Sequence, residues 1–409
     1  RANVETNGTN PFDIAKQMKE AAKNKYSNYK NLKTASNSTT SNISGVASSN
    51  NGTSSNLTTT SNKTNKPTSD NSYSNYMGGQ STVFTKDMKQ DHDYYAKIII
   101  GNQEFTVLLD TGSSDLWIPN KDCTSASCQN HNRFDSSKSQ TFKSEGNPWS
   151  IEYVTGFTSG ITGIDNVRIG SFTAKNQIFG LANTVSDNFI YFEPDGICGL
   201  AFDFINDLDN GAPTLITTLI NQKKINPIFS FHFQHYYDFD DQGTFTLGGV
   251  DESKFKGKIT YNSVIPSPGY DGIAFWQINL DDASVDGKSL SFSGKSATID
   301  TGTSVLFIPP NDAKAIHDKI PDSEYDDQNG FYIIPCDTTA VVSLKFGGVD
   351  YKIPARDLIW SPISGTQCIS SIMPLELDND PDSWLVGQTF IKNVYSVFDV
   401  KNKKVGFAH

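Results

Sequence analysis

One thirteen-residue pattern occurs twice in this chain of 409 residues. VLLDTGSSDLWIP, residues 107–119, returns as ATIDTGTSVLFIP, residues 297–309. Each copy leads an apolar strand into an aspartate, turns through small polar residues, and leaves on a second apolar run that ends in proline. A buried strand ordinarily avoids a carboxylate, because burying an unpaired charge costs several kcal/mol or more. A single Asp-Thr-Gly carries little weight, since a chain of this length contains one by chance about one time in ten. Two copies in one duplicated context are another matter, and they point to a use for both acids.

A second shared feature follows each copy. Ile197-Cys198-Gly199 ends 89 residues after Asp110, and Leu385-Val386-Gly387 ends 87 residues after Asp300. Two like-sized halves, each with an acid and a later glycine, read as two lobes from a duplicated unit. From about residue 81 onward, short β-rich runs (YYAKIII, EFTVLL, GTFTLGGV) alternate with Gly/Asp/Ser turns, the pattern of a mostly-β protein. Helices are expected near 212–223 and 310–319.

Two carboxylates brought together at a lobe junction cannot both ionise easily, so they share one proton and titrate as a coupled pair. One then serves as base toward a bound water, while the other protonates the carbonyl that this water attacks. Glycine in the turn allows close backbone approach, and the Thr and Ser hydroxyls can hold each carboxylate.

Charge is unevenly spread. Residues 1–35 carry seven Lys/Arg against three Asp/Glu, and Lys63 and Lys66 follow, whereas the remainder holds 25 basic and 42 acidic residues. A basic head on an acidic body predicts that the head binds the body, and a nucleic-acid partner would want the opposite balance. In the head, Phe12, Ala15, Met18 and Ala22 recur at helical spacing over residues 11–30. Residues 34–75 are almost entirely Ser, Thr, Asn and Gly, which cannot bury a core and are expected to be disordered. Six N-x-S/T sequons fall in the first 64 residues, at Asn7, Asn37, Asn42, Asn51, Asn56 and Asn62. Chance in an Asn/Thr-rich tract and real glycosylation both account for them.

Of five cysteines, Cys123 and Cys128 have four residues between them in a polar loop, which suits a small disulfide-closed loop. Cys336 and Cys368 are candidates for a longer one, and Cys198 reads as a buried free thiol. Two bridges would place the chain outside the reducing cytosol. A zinc site is the alternative use, but no paired C-x-x-C and few nearby His support it. No run of about 18 apolar residues predicts a membrane span. The first residue is Arg1, so an earlier segment such as a secretory signal is an open expectation, and the apolar tail of a lipid-anchor signal is not expected after Lys-Val-Gly-Phe-Ala-His.

From about residue 81 to its end the chain resembles the pepsin-like aspartic proteases. That resemblance implies a bilobal pepsin-like acid protease fold, two duplicated β lobes with the active-site cleft between them, divided here as 81–255 and 256–409. Carried over by position, Asp110 and Asp300 match the catalytic pair. Thr111 and Thr301 match the threonines that lock the lobes together; Ser113 and Thr303 match the hydroxyls that orient the outer carboxylate oxygens; Gly112 and Gly302 match the close-approach glycines. Residues 149–163 match the β-hairpin flap, with Tyr153 as its tyrosine and Trp117 as that tyrosine's partner. Leu108, Thr155, Gly156, Phe189 and Ile197 fall where the family lines its substrate pocket. Three departures stand out: Val154 in place of the usual flap glycine, a shortened Gly101-Asn102-Gln103 turn, and Gln388 where many members carry an aspartate behind the second acid.

The resemblance further implies a zymogen. Residues 1–33 match a basic prosegment, joined by the 34–80 linker, with Lys25 and Tyr26 matching the lysine-tyrosine pair that reaches the two aspartates. The mature enzyme would begin between about Pro67 and Gln90 after self-cleavage. The implied activity is endoproteolysis between mainly hydrophobic residues at acidic pH, in a monomer without metal or cofactor. Its partners would be polypeptide substrates, its own prosegment and pepstatin-type inhibitors, with secretion, or an acidic vacuole or lysosome, as its place. A pepsin-fold binding protein without catalysis is the alternative, and such a protein would usually lack an aspartate or the flap tyrosine.

Overall fold

The computed structural model describes residues 10–37, 79–88, 93–153, 156–238, 241–267, 270, 272–377 and 381–409. The protein is mostly β, and the duplicated motif is visible in its topology. In the first half, strand Gln103–Asp110 runs parallel to Gly196–Gly199, pairing Asp110 with Gly199, and Leu116–Pro119 runs antiparallel to that same middle strand. In the second half, Lys295–Ile299 pairs parallel with Ser383–Val386, and Leu306–Ile308 pairs antiparallel with it. Even the fourth strand repeats: Phe172–Val185 lies parallel to the first proline-ended strand, and Ile372–Pro374 to the second.

This order has a consequence for the acids. In each half, the strands before and after the Asp-Thr-Gly turn are neighbours in sequence but not in the sheet, because a later strand inserts between them. The turn therefore projects from the sheet instead of closing a hairpin. The later glycines of the repeat sit where backbone crosses that turn. A Cβ on Gly199 would lie 2.3 Å from the Ser114 carbonyl carbon, and one on Gly387 would lie 2.1 Å from the Thr303 oxygen. No larger residue fits either place.

The 255/256 division falls within a shared sheet. Six strands run in the order Ser81–Phe84, Thr244–Leu247, Ile228–His232, Tyr395–Asp399, Lys404–Ala408 and Thr260–Ser263. The first three come from one half and the last three from the other. Phe229 and Phe398 stack across this seam with ring centroids 5.0 Å apart. The lobes are thus joined by paired backbone and packed aromatics, a rigid mounting for two turns that must face each other.

Helices form at Leu215–Asn221 and Pro310–His317, inside the expected windows. Thr214 caps the first, its hydroxyl accepting from the Thr217 N–H. Strands Asp93–Ile100 and Gln103–Asp110 are joined by Gly101 and Asn102, both at positive φ, the backbone of a tight hairpin turn. The Cys123–Cys128 and Cys336–Cys368 disulfides are formed, and Cys198 is free and buried.

The head differs from expectation in length. Its helix runs Pro11–Asn37, past residue 30 and across the expected 33/34 boundary. No Gly or Pro interrupts residues 12–44, so nothing local stops it at residue 30. Pro11 occupies the first turn, where its missing N–H costs nothing, and the Asn10 side chain accepts from the Phe12 N–H. Ala15, Ala22, Lys25 and Tyr26 form the buried side, with Phe12 and Met18 partly covered beside them. The expected disordered tract lies, from residue 38 to 78, outside the described residues.

Candidate active site

Both turns meet at the junction of the halves, and they lock by exchanging hydrogen bonds. The Thr111 N–H donates to the Thr301 hydroxyl at 3.0 Å, and the Thr301 N–H returns the bond to Thr111 at 2.9 Å. Each hydroxyl then donates across the junction, Thr111 to the Ile299 carbonyl at 2.8 Å and Thr301 to the Leu109 carbonyl at 2.6 Å. Four buried bonds between segments 190 residues apart fix the distance between the acids.

Each carboxylate is held from within its own turn. The Gly112 N–H donates to Asp110 Oδ1 at 2.8 Å and the Ser113 hydroxyl to Oδ2 at 2.5 Å. Gly302 N–H and the Thr303 hydroxyl do the same for Asp300, at 2.9 and 2.7 Å. The glycines are sterically obligatory. A Cβ on Gly112 would stand 2.5 Å from Asp300 Cγ, and one on Gly302 would stand 2.4 Å from Asp110 Oδ1.

Into this site the N-terminal helix delivers a cation. Lys25 Nζ lies 3.1 Å from both oxygens of Asp110 and 3.1 Å from Asp300 Oδ2, while the Tyr26 hydroxyl donates to Asp300 Oδ2 at 3.0 Å. Lys25 is 3% exposed, Asp110 2% and Asp300 0%. One ammonium reaching both carboxylates means that a single small group can do so.

The electrostatics are unequal. Burial pushes the Asp110 carboxyl up, the Lys25 charge opposes it, and the Asp300 charge adds to it, for a value of about 6. Burial acts upward on Asp300 too, but Lys25, with hydrogen bonds from Asp110, Thr303 and Gly302, holds that carboxyl below its ordinary value. Burial alone would strip the charge from Lys25; the two carboxylates reverse that and raise its pKa. The pair is thus arranged for one proton-rich and one proton-poor member.

The flap hairpin pairs Lys143–Tyr153 with Gly156–Ile169, Tyr153 opposite Gly156. The Trp117 indole N–H donates to the Tyr153 hydroxyl at 2.8 Å, and Phe189 packs edge-on against both rings. Leu108, Phe189 and Ile197 share one buried cluster with Tyr153 and with Ala15, Ala22 and Tyr26 of the head. Gly156 begins the returning strand, where a Cβ would collide with the Ser186 hydroxyl. Val154 and Thr155 at the tip lie outside the described residues.

Phe275 escaped sequence reasoning. It packs against Tyr26 with tilted rings 4.9 Å apart and joins the cleft cluster, whereas Trp276 beside it turns to the core and donates to the Leu200 carbonyl at 2.9 Å. On the head, Lys16 bonds the Asn329 side chain and Lys19 sits over the Phe331 ring, contacts that charge counting alone does not single out.

Comparison with known proteins agrees with this geometry. The profile of the eukaryotic aspartyl protease family matches residues 93–409. The chain is 36% identical to the "Probable aspartic-type endopeptidase CTSD" of Arthroderma benhamiae over 78% of its own length and 61% of that protein. It is 34% identical to the aspartic-type endopeptidase ctsD of Aspergillus fumigatus (83% and 71%), and 35% identical to pepsin A of Canis lupus familiaris (84% and 88%). The match thus spans about three fifths of the length of the first of these relatives. With the paired acids, the exchanged threonine bonds and a family profile covering most of its length, the chain belongs to the eukaryotic aspartyl protease family.

Proposed function

We propose that this chain is an aspartic endopeptidase that hydrolyses peptide bonds between mainly hydrophobic residues at acidic pH, made as a precursor that its own head inhibits. The carrying observation is the single ammonium 3.1 Å from each carboxylate, because a water in its place would touch both acids. The proton-poor acid takes a proton from that water, and the proton-rich acid donates to the scissile carbonyl, so that no covalent intermediate is needed. Tyr153, held by Trp117, covers the site, and the flap offers strand backbone to an extended peptide.

Inhibition follows from the same contacts. Lys25 occupies the water position, and Ala15, Ala22 and Tyr26 fill the apolar cleft where substrate side chains would lie. A binding role without catalysis finds little support, since both acids and the flap tyrosine are in place. Two disulfides favour an oxidising compartment, reached by secretion or in an acidic vacuole or lysosome. Cell fractionation separates those destinations, and light scattering tests the monomer.

The activity test is incubation with an unfolded protein from pH 2 to 7, with and without a pepstatin-type inhibitor. Cleavage should be acid-dependent, inhibitor-sensitive and lost in Asp110→Asn and Asp300→Asn. Undiminished cleavage by either variant refutes the assignment.

A further inference from the structure

Gln388 begins the short helix Gln388–Ile391 directly behind the Asp300 turn and is fully buried. Its side-chain Nε2 donates to the Thr301 carbonyl at 2.7 Å. That carbonyl belongs to the same peptide unit as the Gly302 N–H, which donates to Asp300 Oδ1 at 2.9 Å. The three groups form one chain: amide side chain, peptide, carboxylate. A donor on a peptide oxygen polarises the unit and strengthens its N–H, a cooperative effect of roughly 10–30% per bond. In the other half, among the described residues, no side chain donates to the matching Thr111 carbonyl. The residues following its glycine are Leu200 and Ala201, whose side chains carry no donor.

A second observation shows that this side chain is not simply a satisfied core amide. Gln388 Oε1 is buried without a hydrogen-bond partner among the described residues. An apolar side chain would avoid that unmet acceptor, so the glutamine is poorly explained by stability alone. Its orientation is forced, because the Thr301 carbonyl can only accept.

We propose that Gln388 is a positioning residue that, through the Thr301–Gly302 peptide, stabilises negative charge on Asp300 and so makes Asp300 the proton-poor member of the pair. The titratable groups facing Asp300 are Asp110 from the opposite turn and Lys25 and Tyr26 from the head. The strand Ser383–Val386 and the helix Gln388–Ile391 bring no charged residue behind it. Once the head is released, Lys25 no longer biases the pair, and the Gln388 relay remains as a built-in asymmetry between the turns.

This inference rests on the proposed endopeptidase activity, and the test separates the two. The full chain is activated in acid and kcat/KM against an unfolded-protein or peptide substrate is measured across pH. Gln388→Met removes the donor at similar volume, so the proton-poor carboxylate loses stabilisation and its apparent pKa rises. The acid limb should move up by about half a pH unit, roughly threefold lower kcat/KM on that side. Melting temperature should change little, since the variant removes one unmet acceptor while leaving the Thr301 carbonyl without its donor. Gln388→Glu, which donates while protonated, should keep the parent's acid limb and lose activity earlier as pH rises. Coincident acid limbs in parent and Gln388→Met overturn the inference. Should Gln388→Met fail to fold, a raised acid limb in Gln388→Glu overturns it equally. A parent inactive at every pH would instead refute the endopeptidase reading.

Discussion

Replacing Lys25 by methionine isolates the electrostatic part of inhibition, because methionine keeps an unbranched stem of similar length beside Ala22 and Tyr26. The parent ammonium makes three contacts of 3.1 Å with two buried carboxylates. Removing one partner of a buried ion pair costs about 3–5 kcal/mol. Part of that returns when the abandoned carboxylates take up a proton, leaving about 2–4 kcal/mol, or roughly 30- to 700-fold in the docking equilibrium of the head. Sign and pH window follow from the groups themselves. Lys25, its pKa raised, stays charged throughout the acid range, so the latch depends on the carboxylates. Asp110, at about 6, is already largely protonated at pH 5.5, so Asp300 holds the latch there; it is kept below its ordinary 3.8, so its contribution is present above that value and is lost as pH falls through its depressed pKa. The parent should therefore stay latent at pH 5.5 and activate below about 4, whereas Lys25→Met should cleave substrate at pH 5.5 without an acid step. The assay is the rate of peptide cleavage after transfer to each pH, with gel analysis to detect removal of the head. A variant as latent as the parent at every pH, although folded, would refute the reasoning.

Three further outcomes follow. Gly302→Ala places a methyl group where Asp110 Oδ1 lies 2.4 Å away, so activity should fall at least a hundredfold while circular dichroism stays β-rich; near-parent activity would show that the turn can yield. Thr111→Val removes a hydroxyl that accepts from the Thr301 N–H and donates to the Ile299 carbonyl, and should lower stability in urea unfolding by about 3 kcal/mol. His317 is buried between the Ala313 carbonyl and the Ser370 hydroxyl, stacked on Tyr332, and burial lowers its pKa to about 4. The unfolded chain then binds a proton that the folded one refuses, so stability should fall by roughly 3 kcal/mol from pH 6.5 to 4. His317→Phe should flatten that slope in urea titrations at the two pH values.

The repeated strand–turn–strand was legible in residue order because it is local. Apolar runs, a small-residue turn and a proline are read within thirteen positions, and their repetition identified Asp110, Asp300 and the residues around them. The same holds for the helices near 215 and 310, whose start signals are local, a Thr214 cap on the first and Pro310 in the first turn of the second. Lys25 shows where local reading stops. It is one of several lysines on a helix, set apart from Lys23 and Lys30 only by the tyrosine that follows it and the resemblance this carries; helical period alone does not select it, and only the docked helix brings its ammonium to the acids. Phe275, Gln388 and the six-stranded sheet that joins the halves were likewise decided by contacts between distant segments. The physical reason is range: backbone preference and hydrophobic period act over a few residues, whereas the facing of two turns 190 residues apart depends on which strand inserts between which, and on what the shared core holds still.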